Sequence, residues 1–212
     1  MQTLSRRKLM GFAVLTPFAG LLRPGSTEAI SVTSATAISA DRDRIRRKHF
    51  PDVSLLTQDN QKVRFYEDMV KDKIVTINMF YARCEGICPI VTANLVKVQK
   101  LLADRIGRDI FMVSITLKPL EDSPAVLKKY AEEHYIKPGW TLLTGKIDDI
   151  ELLRRSLGFT NLDPALDQDK SQHIGNIRYG NEPMLQWAAM PGMARPEEIA
   201  HSITRDFPPR QS

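Results

Sequence analysis

The stretch Ile74-Val75-Thr76-Ile77-Asn78-Met79-Phe80-Tyr81, running into Arg83-Cys84-Glu85-Gly86-Ile87-Cys88-Pro89 and on through Ile90-Val91-Thr92-Ala93-Asn94-Leu95-Val96-Lys97-Val98-Gln99-Lys100-Leu101-Leu102, decides the reading of this chain. The first part is apolar and β-branched, as a buried strand is; the last part has helical spacing. Both cysteines of the chain lie between them, so the thiols sit where a strand hands over to a helix N-terminus. Unpaired N–H groups and the helix dipole favour negative charge there, which eases thiolate formation. Thiolate is both a redox nucleophile and a soft metal ligand, and this turn is the first candidate for function.

Upstream, Ser5-Arg6-Arg7-Lys8-Leu9-Met10 is a twin-arginine pattern followed by the apolar stretch Gly11 to Leu22. That stretch is short of the roughly 18 apolar residues a membrane span needs. Residues 1–29 therefore read as an export signal, with cleavage after Ala29 or as late as Ala37, and an uncleaved anchor as the alternative. Residues 30–48 read as a polar and basic linker arm, with Arg42, Arg44, Arg46, Arg47 and Lys48 on a solvated segment. Residues 49–207 form the domain and 208–212 a tail. The expected location is an oxidising compartment, the bacterial periplasm.

Arg6, Arg7, Lys8 and Arg23 against Glu28 put a net +3 in residues 1–40, so the whole-chain +5 falls to +2 beyond them. A domain so nearly balanced argues against a nucleic-acid partner. Two cysteines in an exported protein usually read as a structural staple. Here the loop they would close is so short that the bond removes only about 2 kcal/mol of unfolded-state freedom. A chain with 42% apolar residues has no need of it.

The element order is legible. His49 to Thr57 and Val63 to Phe65 flank the polar turn Gln58-Asp59-Asn60-Gln61 as a hairpin. Tyr66 to Lys71 make a short helical link into the strand at 74–81. A helix at 90–106 ends at Gly107, a strand follows at 110–116, and a helix at 124–134 has Ser123 as cap and Pro124 in its first turn. Residues 140–144 read as a strand and 147–157 as a helix ending at Gly158. Asn161 to Gln172 read as a loop; His173 to Tyr179 and Pro183 to Ala189 as strands joined through Gly180-Asn181; Pro196 to Arg205 as the closing helix. This alternation predicts an α/β, thioredoxin-like fold: a mixed central sheet, helices on both faces, and an N-terminal hairpin extension.

Thioredoxin-type redox sites place two residues between their cysteines; this chain places three. The longer bite still lets the sulfurs approach and suits an ion held between them. Two thiolates select soft ions, Cu(I) above all, and one imidazole would complete a trigonal site, whereas zinc would want four ligands. Of the four histidines, His49 precedes the first strand, His134 lies at a helix end, His201 sits in the closing helix, and His173 stands at the exit of the polar loop. A thioredoxin-like sheet brings position 173 near the cysteine turn, although a lone histidine is as readily a surface or core residue. Met184, Met190 and Met193, grouped near Trp187, offer thioethers that would serve as Cu(I) ligands, as core filling or as an adaptable partner surface.

From about Phe50 to about Phe207 the chain resembles the Sco/SenC family of thioredoxin-like copper proteins, which assist assembly of the dinuclear copper centre of cytochrome oxidases. The pieces that carry the resemblance are Phe50-Pro51-Asp52 with Leu55, the strand into Cys84, Cys88-Pro89, Ser114-Ile115-Thr116 with Pro119, Asp122, Ser123 and Pro124, Leu127-Lys128-Lys129-Tyr130, and Gly139-Trp140. The family motif, Cys-Pro-x-x-Cys-Pro with a distant histidine, implies Cys84, Cys88 and His173 as copper ligands. The chain departs from it at Glu85, where the family has its first proline, and at Arg83, where it usually has a small residue. Lys118 replaces the usual aspartate and Gln172 a frequent acidic residue.

Two functions are in view. One is a non-enzymatic metallochaperone that holds Cu(I) or Cu(II) and passes it to an acceptor with copper-ligating cysteines or histidines, such as a respiratory oxidase. The other is a thiol–disulfide oxidoreductase in which Cys84 attacks and Cys88 resolves. Membrane association is expected only through an uncleaved N-terminus or the acceptor. Tyr81 stands where a peroxidase of the Thr-x-x-Cys type would carry threonine, which argues against that chemistry.

Overall fold

In the computed structural model the described residues are 40, 43–168 and 175–208. The expected export signal, the stretch 169–174 with His173, and residues 209–212 lie outside them. Residues 43–49 are helical (α1). Then come β1 (Ser54–Thr57), β2 (Lys62–Arg64), a π-helical turn (Phe65–Val70), β3 (Ile74–Phe80), α2 (Cys88–Leu101), β4 (Ile110–Thr116) and α3 (Pro124–Glu133). The chain continues through β5 (Trp140–Thr144), α4 (Ile147–Ser156), α5 (Pro164–Gln168), β6 (Asn176–Asn181), β7 (Gln186–Pro191) and α6 (Pro196–Asp206).

The strands form one mixed sheet in the order β2-β1-β5-β4-β3-β6-β7. β3 runs parallel to β4, β4 parallel to β5, and β3 antiparallel to β6, as helical crossovers and a closing hairpin require. All seven residues of β3 are buried, which is why its sequence is continuously apolar rather than alternating. Its one strongly polar member, Asn78, accepts a 2.6 Å hydrogen bond from Ser114 on the neighbouring strand, and the Trp140 indole N–H donates to Ser114 in turn. A buried polar group on a central strand is thereby satisfied.

Successive residues of β3 serve opposite faces. Phe80 packs with its ring centre 5.2 Å from that of Tyr130 of α3, the planes tilted, and the Tyr130 hydroxyl shares a 2.8 Å hydrogen bond with Thr92 of α2. α6 packs on this side too: Tyr179 of β6, paired with Thr76, bonds Asp206. Ile77, directed the other way, shares a cavity lining with Ile45 and His49 of α1 and with Ser156 and Leu157 at the end of α4. Helices thus cover both faces, and the mixed α/β sheet with its β1–β2 hairpin is as expected.

Four local readings change. The helix expected over 90–106 stops at Leu101, and Gly107 is no cap. Its φ of +83° instead allows a close approach to Gly139, where a Cβ would stand 2.7 Å from the Gly107 nitrogen. Gly180-Asn181 is not the hairpin turn but the end of β6, with Gly180 paired to Trp187. A Cβ at Gly180 would lie 2.3 Å from the Trp187 ring, so this glycine serves packing; the turn is made by Glu182 to Leu185. The polar stretch after Asn161 holds the short helix α5, with Asp163 accepting from the Ala165 N–H. The basic arm is not wholly solvated, because Arg46 reaches 2.6 Å to the fully buried carboxylate of Glu182. Tyr66 and the Asp72 N–H bond the same carboxylate.

Candidate metal and thiol centre

β3 delivers the chain to Tyr81, and residues 82–87 turn back into α2, which begins at Cys88 itself. Pro89 stands in the first turn of α2, where its missing N–H leaves no partner wanting. Asp122 anchors the turn from below. It is buried, accepts from the Ala82 N–H at 3.1 Å, and takes a 2.5 Å hydrogen bond from Thr116 at the end of β4. Burial raises its pKa above the usual carboxylate range, against those two hydrogen bonds. The sequence placed Asp122 within the family resemblance without a role; the Thr-x5-Asp spacing at the end of a buried strand was the available signal.

Cys84 and Cys88 are thiols, 8% and 2% exposed, and hydrogen-bonded to each other. Their acidities diverge. Burial pushes the Cys84 thiol up, but hydrogen bonds to its sulfur from the Cys88 thiol, the Tyr81 hydroxyl and the backbone N–H groups of Cys88 and Gly86 outweigh it, and the net shift is downward. Cys88 moves strongly upward, first through burial and then because its proton is donated to Cys84. One sulfur is prepared to be thiolate while the other keeps its proton. Neither Arg83 nor Glu85 is among the leading causes, and both side chains are exposed to screening solvent. Lys118, the departure from the family aspartate, holds its ammonium over the Tyr81 ring, 4.4 Å from its centre.

The histidines separate. His49 lines the cavity on the Ile77 face; His134 packs tilted against Tyr130 with ring centres 4.1 Å apart; His201 is exposed on α6. His173 lies outside the described residues. Among the described residues no group of three or more histidine, cysteine, aspartate or glutamate side chains is placed to hold a metal ion. The chain nevertheless re-enters at Gly175 directly against the cysteine helix. A Cβ on Gly175 would lie 2.4 Å from Ile87 and 3.4 Å from Val91, and its carbonyl accepts from Gly192. The three methionines do not form one group: Met184 and Met193 are exposed beyond opposite ends of β7, and Met190 packs against the core from within it.

A β3–α2–β4 unit with a dithiol at the helix start, closed by an antiparallel β6–β7 hairpin and α6, defines a thioredoxin-like protein. The SCO1/SenC family profile matches residues 43–205, and the chain belongs to that family. It is 25% identical over 135 residues to a protein of Stutzerimonas stutzeri named for copper binding, a match covering 62% of this chain and 64% of that one. It is 32% identical over 90 residues to a SCO1 homolog of Bacillus subtilis, covering 42% and 45%. The chain thus spans less than two thirds of the length of these relatives.

Among solved structures, the SCO1/SenC family lipoprotein of Bacillus anthracis superposes with a TM-score of 0.62 at 22% identity, over 75% of this chain and 95% of that one. Yeast Sco1 with copper bound gives 0.59 at 19%, over 75% and 92%. BsSco, described with a disulfide switch and as a member of a family of cytochrome c oxidase assembly proteins, gives 0.60 at 22%, over 74% and 92%. At these identities the structural likeness establishes the shared fold.

Proposed function

We propose that this protein is an exported copper metallochaperone that holds one copper ion through Cys84, Cys88 and His173 and hands it, by ligand exchange, to a periplasmic acceptor such as a respiratory oxidase subunit. The observation that carries the reading is the hydrogen-bonded thiol pair, a soft two-sulfur donor set with Cys88 opening α2 and Cys84 on the turn before it. Gly175 supports the third ligand, since two peptide units keep residue 173 within about 7 Å of a residue already packed on Ile87. Imidazole suits Cu(II) and thiolate Cu(I), so the set accommodates both states. Copper-bound yeast Sco1 and the copper-binding name of the Stutzerimonas relative point the same way. The twin-arginine pattern supports export, and among the described residues no helix is long and apolar enough to cross a membrane. The test is titration of reduced, metal-free protein with copper, read by native mass spectrometry. One ion per chain is expected, weakened in His173→Ala and lost in Cys84→Ser. Full retention in the Cys84→Ser/Cys88→Ser double variant sinks the reading.

A second reading rests on the divergent acidities. The Cys84 thiolate would attack a partner disulfide, forming a mixed disulfide and expelling the partner's other sulfur as thiolate. Cys88, giving up its proton, would then displace the partner, leaving Cys84–Cys88 oxidised and the partner reduced to two thiols. BsSco's disulfide switch belongs to the same fold. Catalysed reduction of a model disulfide at a rate above free thiol supports it; a rate equal to free thiol excludes it.

A further inference from the structure

Among the described residues, three buried side-chain nitrogen or oxygen atoms have no hydrogen-bond partner: Arg46 Nε, Arg178 Nε and Trp187 Nε1. Arg46 Nε lies 2.6 Å from a Glu182 carboxylate oxygen and is neutralised there. The other two belong to residues that line one cavity of about 450 Å³, on the sheet face turned away from α2 and the cysteines. Buried donors without acceptors are rare in folded proteins, and two such atoms on residues that line one cavity mark a place where an acceptor is wanted.

The cavity is built rather than left over. Gly158, at φ +69°, gives the Arg178 guanidinium its place: a Cβ there would stand 2.6 Å from Nη2, and Nη2 donates to the Gly158 carbonyl at 2.7 Å. Gly180 lets the Trp187 ring lie across its backbone. Leu185, in the same wall, is held at φ +53° by the β6–β7 turn that it closes. Arg178 has the Phe159 ring at 5.4 Å, but among the described residues no carboxylate lies within ion-pair distance of it. Burial lowers its pKa, the direction expected of a cation whose counter-ion is missing. Ile45, Phe50, Ile77 and Leu157 make much of the remaining wall apolar, with His49 and Ser156 as its polar members, and the volume is that of small-molecule pockets, roughly 300–1,000 Å³.

We propose that this cavity is a binding site for a small organic carboxylate with an apolar body, its anionic end received by Arg178 and Trp187. One guanidinium, with His49 the other ionisable side chain of a largely apolar wall, matches a single negative charge better than the higher charge of a phosphate ester. The site is independent of copper, and its test uses none.

The experiment is calorimetric titration of the full, reduced, metal-free chain with octanoate, and with octanamide as the neutral isostere. Octanoate is expected to fill one saturable site per chain, with octanamide at least tenfold weaker. Arg178→Gln should weaken octanoate at least tenfold and leave octanamide unchanged. Should that variant fail to fold by circular dichroism, Ile45→Trp, at a half-exposed lining position, should block both probes by filling the space. Absence of saturable octanoate binding overturns the proposal. So does equal binding of the two probes, or unchanged octanoate binding in a folded Arg178→Gln or Ile45→Trp variant.

Discussion

Arg154 grips Asp167 at two points, its two terminal nitrogens each lying 2.6 Å from a different carboxylate oxygen. The guanidinium is 4% exposed and also reaches Glu151 and the Phe159 carbonyl, while Asp167 accepts from the Asn161 N–H at 2.7 Å. One buried cation therefore ties α5 and the chain before it to α4. Asp167→Asn keeps the volume but removes the charge that Arg154 was buried against. Since Glu151 remains, the loss should be about 2 kcal/mol rather than that of a wholly stranded charge. It would be read as a lower urea midpoint with unchanged slope. An unmoved midpoint would show the clamp to be ornamental.

The two thiols should label in order. With the Cys84 thiol shifted down and Cys88 strongly up, a small alkylating agent at neutral pH is expected to modify Cys84 first, despite its near burial. Tyr81→Phe deletes a hydrogen bond to that sulfur and should slow the first modification by roughly threefold to tenfold at the same pH. Peptide mapping after timed quenching identifies the site. Equal rates at both cysteines, or a Tyr81→Phe rate like wild type, contradicts the assigned bonding.

Copper uptake should release protons. In the proposed site both sulfurs would ligate as thiolates, yet Cys88 holds its proton at neutral pH, so each ion bound would have to displace at least that one. The sign follows: affinity rises with pH, by about tenfold per unit for each proton released. Titration in two buffers of different ionisation enthalpy counts the protons directly. A pH-independent affinity between pH 6 and 8 would exclude ligation by Cys88.

How far the sequence alone reached depends on the range of the forces involved. β3 and the start of α2 were readable because a continuous apolar strand and a proline-started helix are local signals, and the cysteine pair came with them. Gly180 and Gly107 misled because a glycine looks the same whether it turns the chain or admits a neighbour. Trp187 over the first and Gly139 against the second are distant in sequence. Asp163 and Asp167 looked like loop solvation because Arg154, which Asp167 neutralises, belongs to the preceding helix. Arg178 and Trp187 gave no sign at all, since only the β6–β7 register and Gly158 bring them to one cavity. His173 was singled out by its place at the exit of the polar loop and named as a ligand through the resemblance.

His134 should set part of the acid sensitivity of the fold. It closes α3, half-buried, with its ring 4.1 Å from Tyr130, whose own hydroxyl is buried and pushed up to about 12. Burial lowers the His134 pKa, and the nearby Glu133 charge opposes this only in part. A base whose folded pKa is depressed binds its proton more readily in the unfolded chain. Its contribution is therefore intact above the unfolded value of 6.5 and is lost as the pH falls toward and through the lower folded one. His134→Gln removes the titration while keeping a polar side chain of similar reach. The variant is expected to lose less stability than wild type between pH 7 and 5, so that the two curves of unfolding free energy converge on the acid side. Parallel curves across that window would mean that His134 is as easily protonated folded as unfolded, and that its packing on Tyr130 excludes no water.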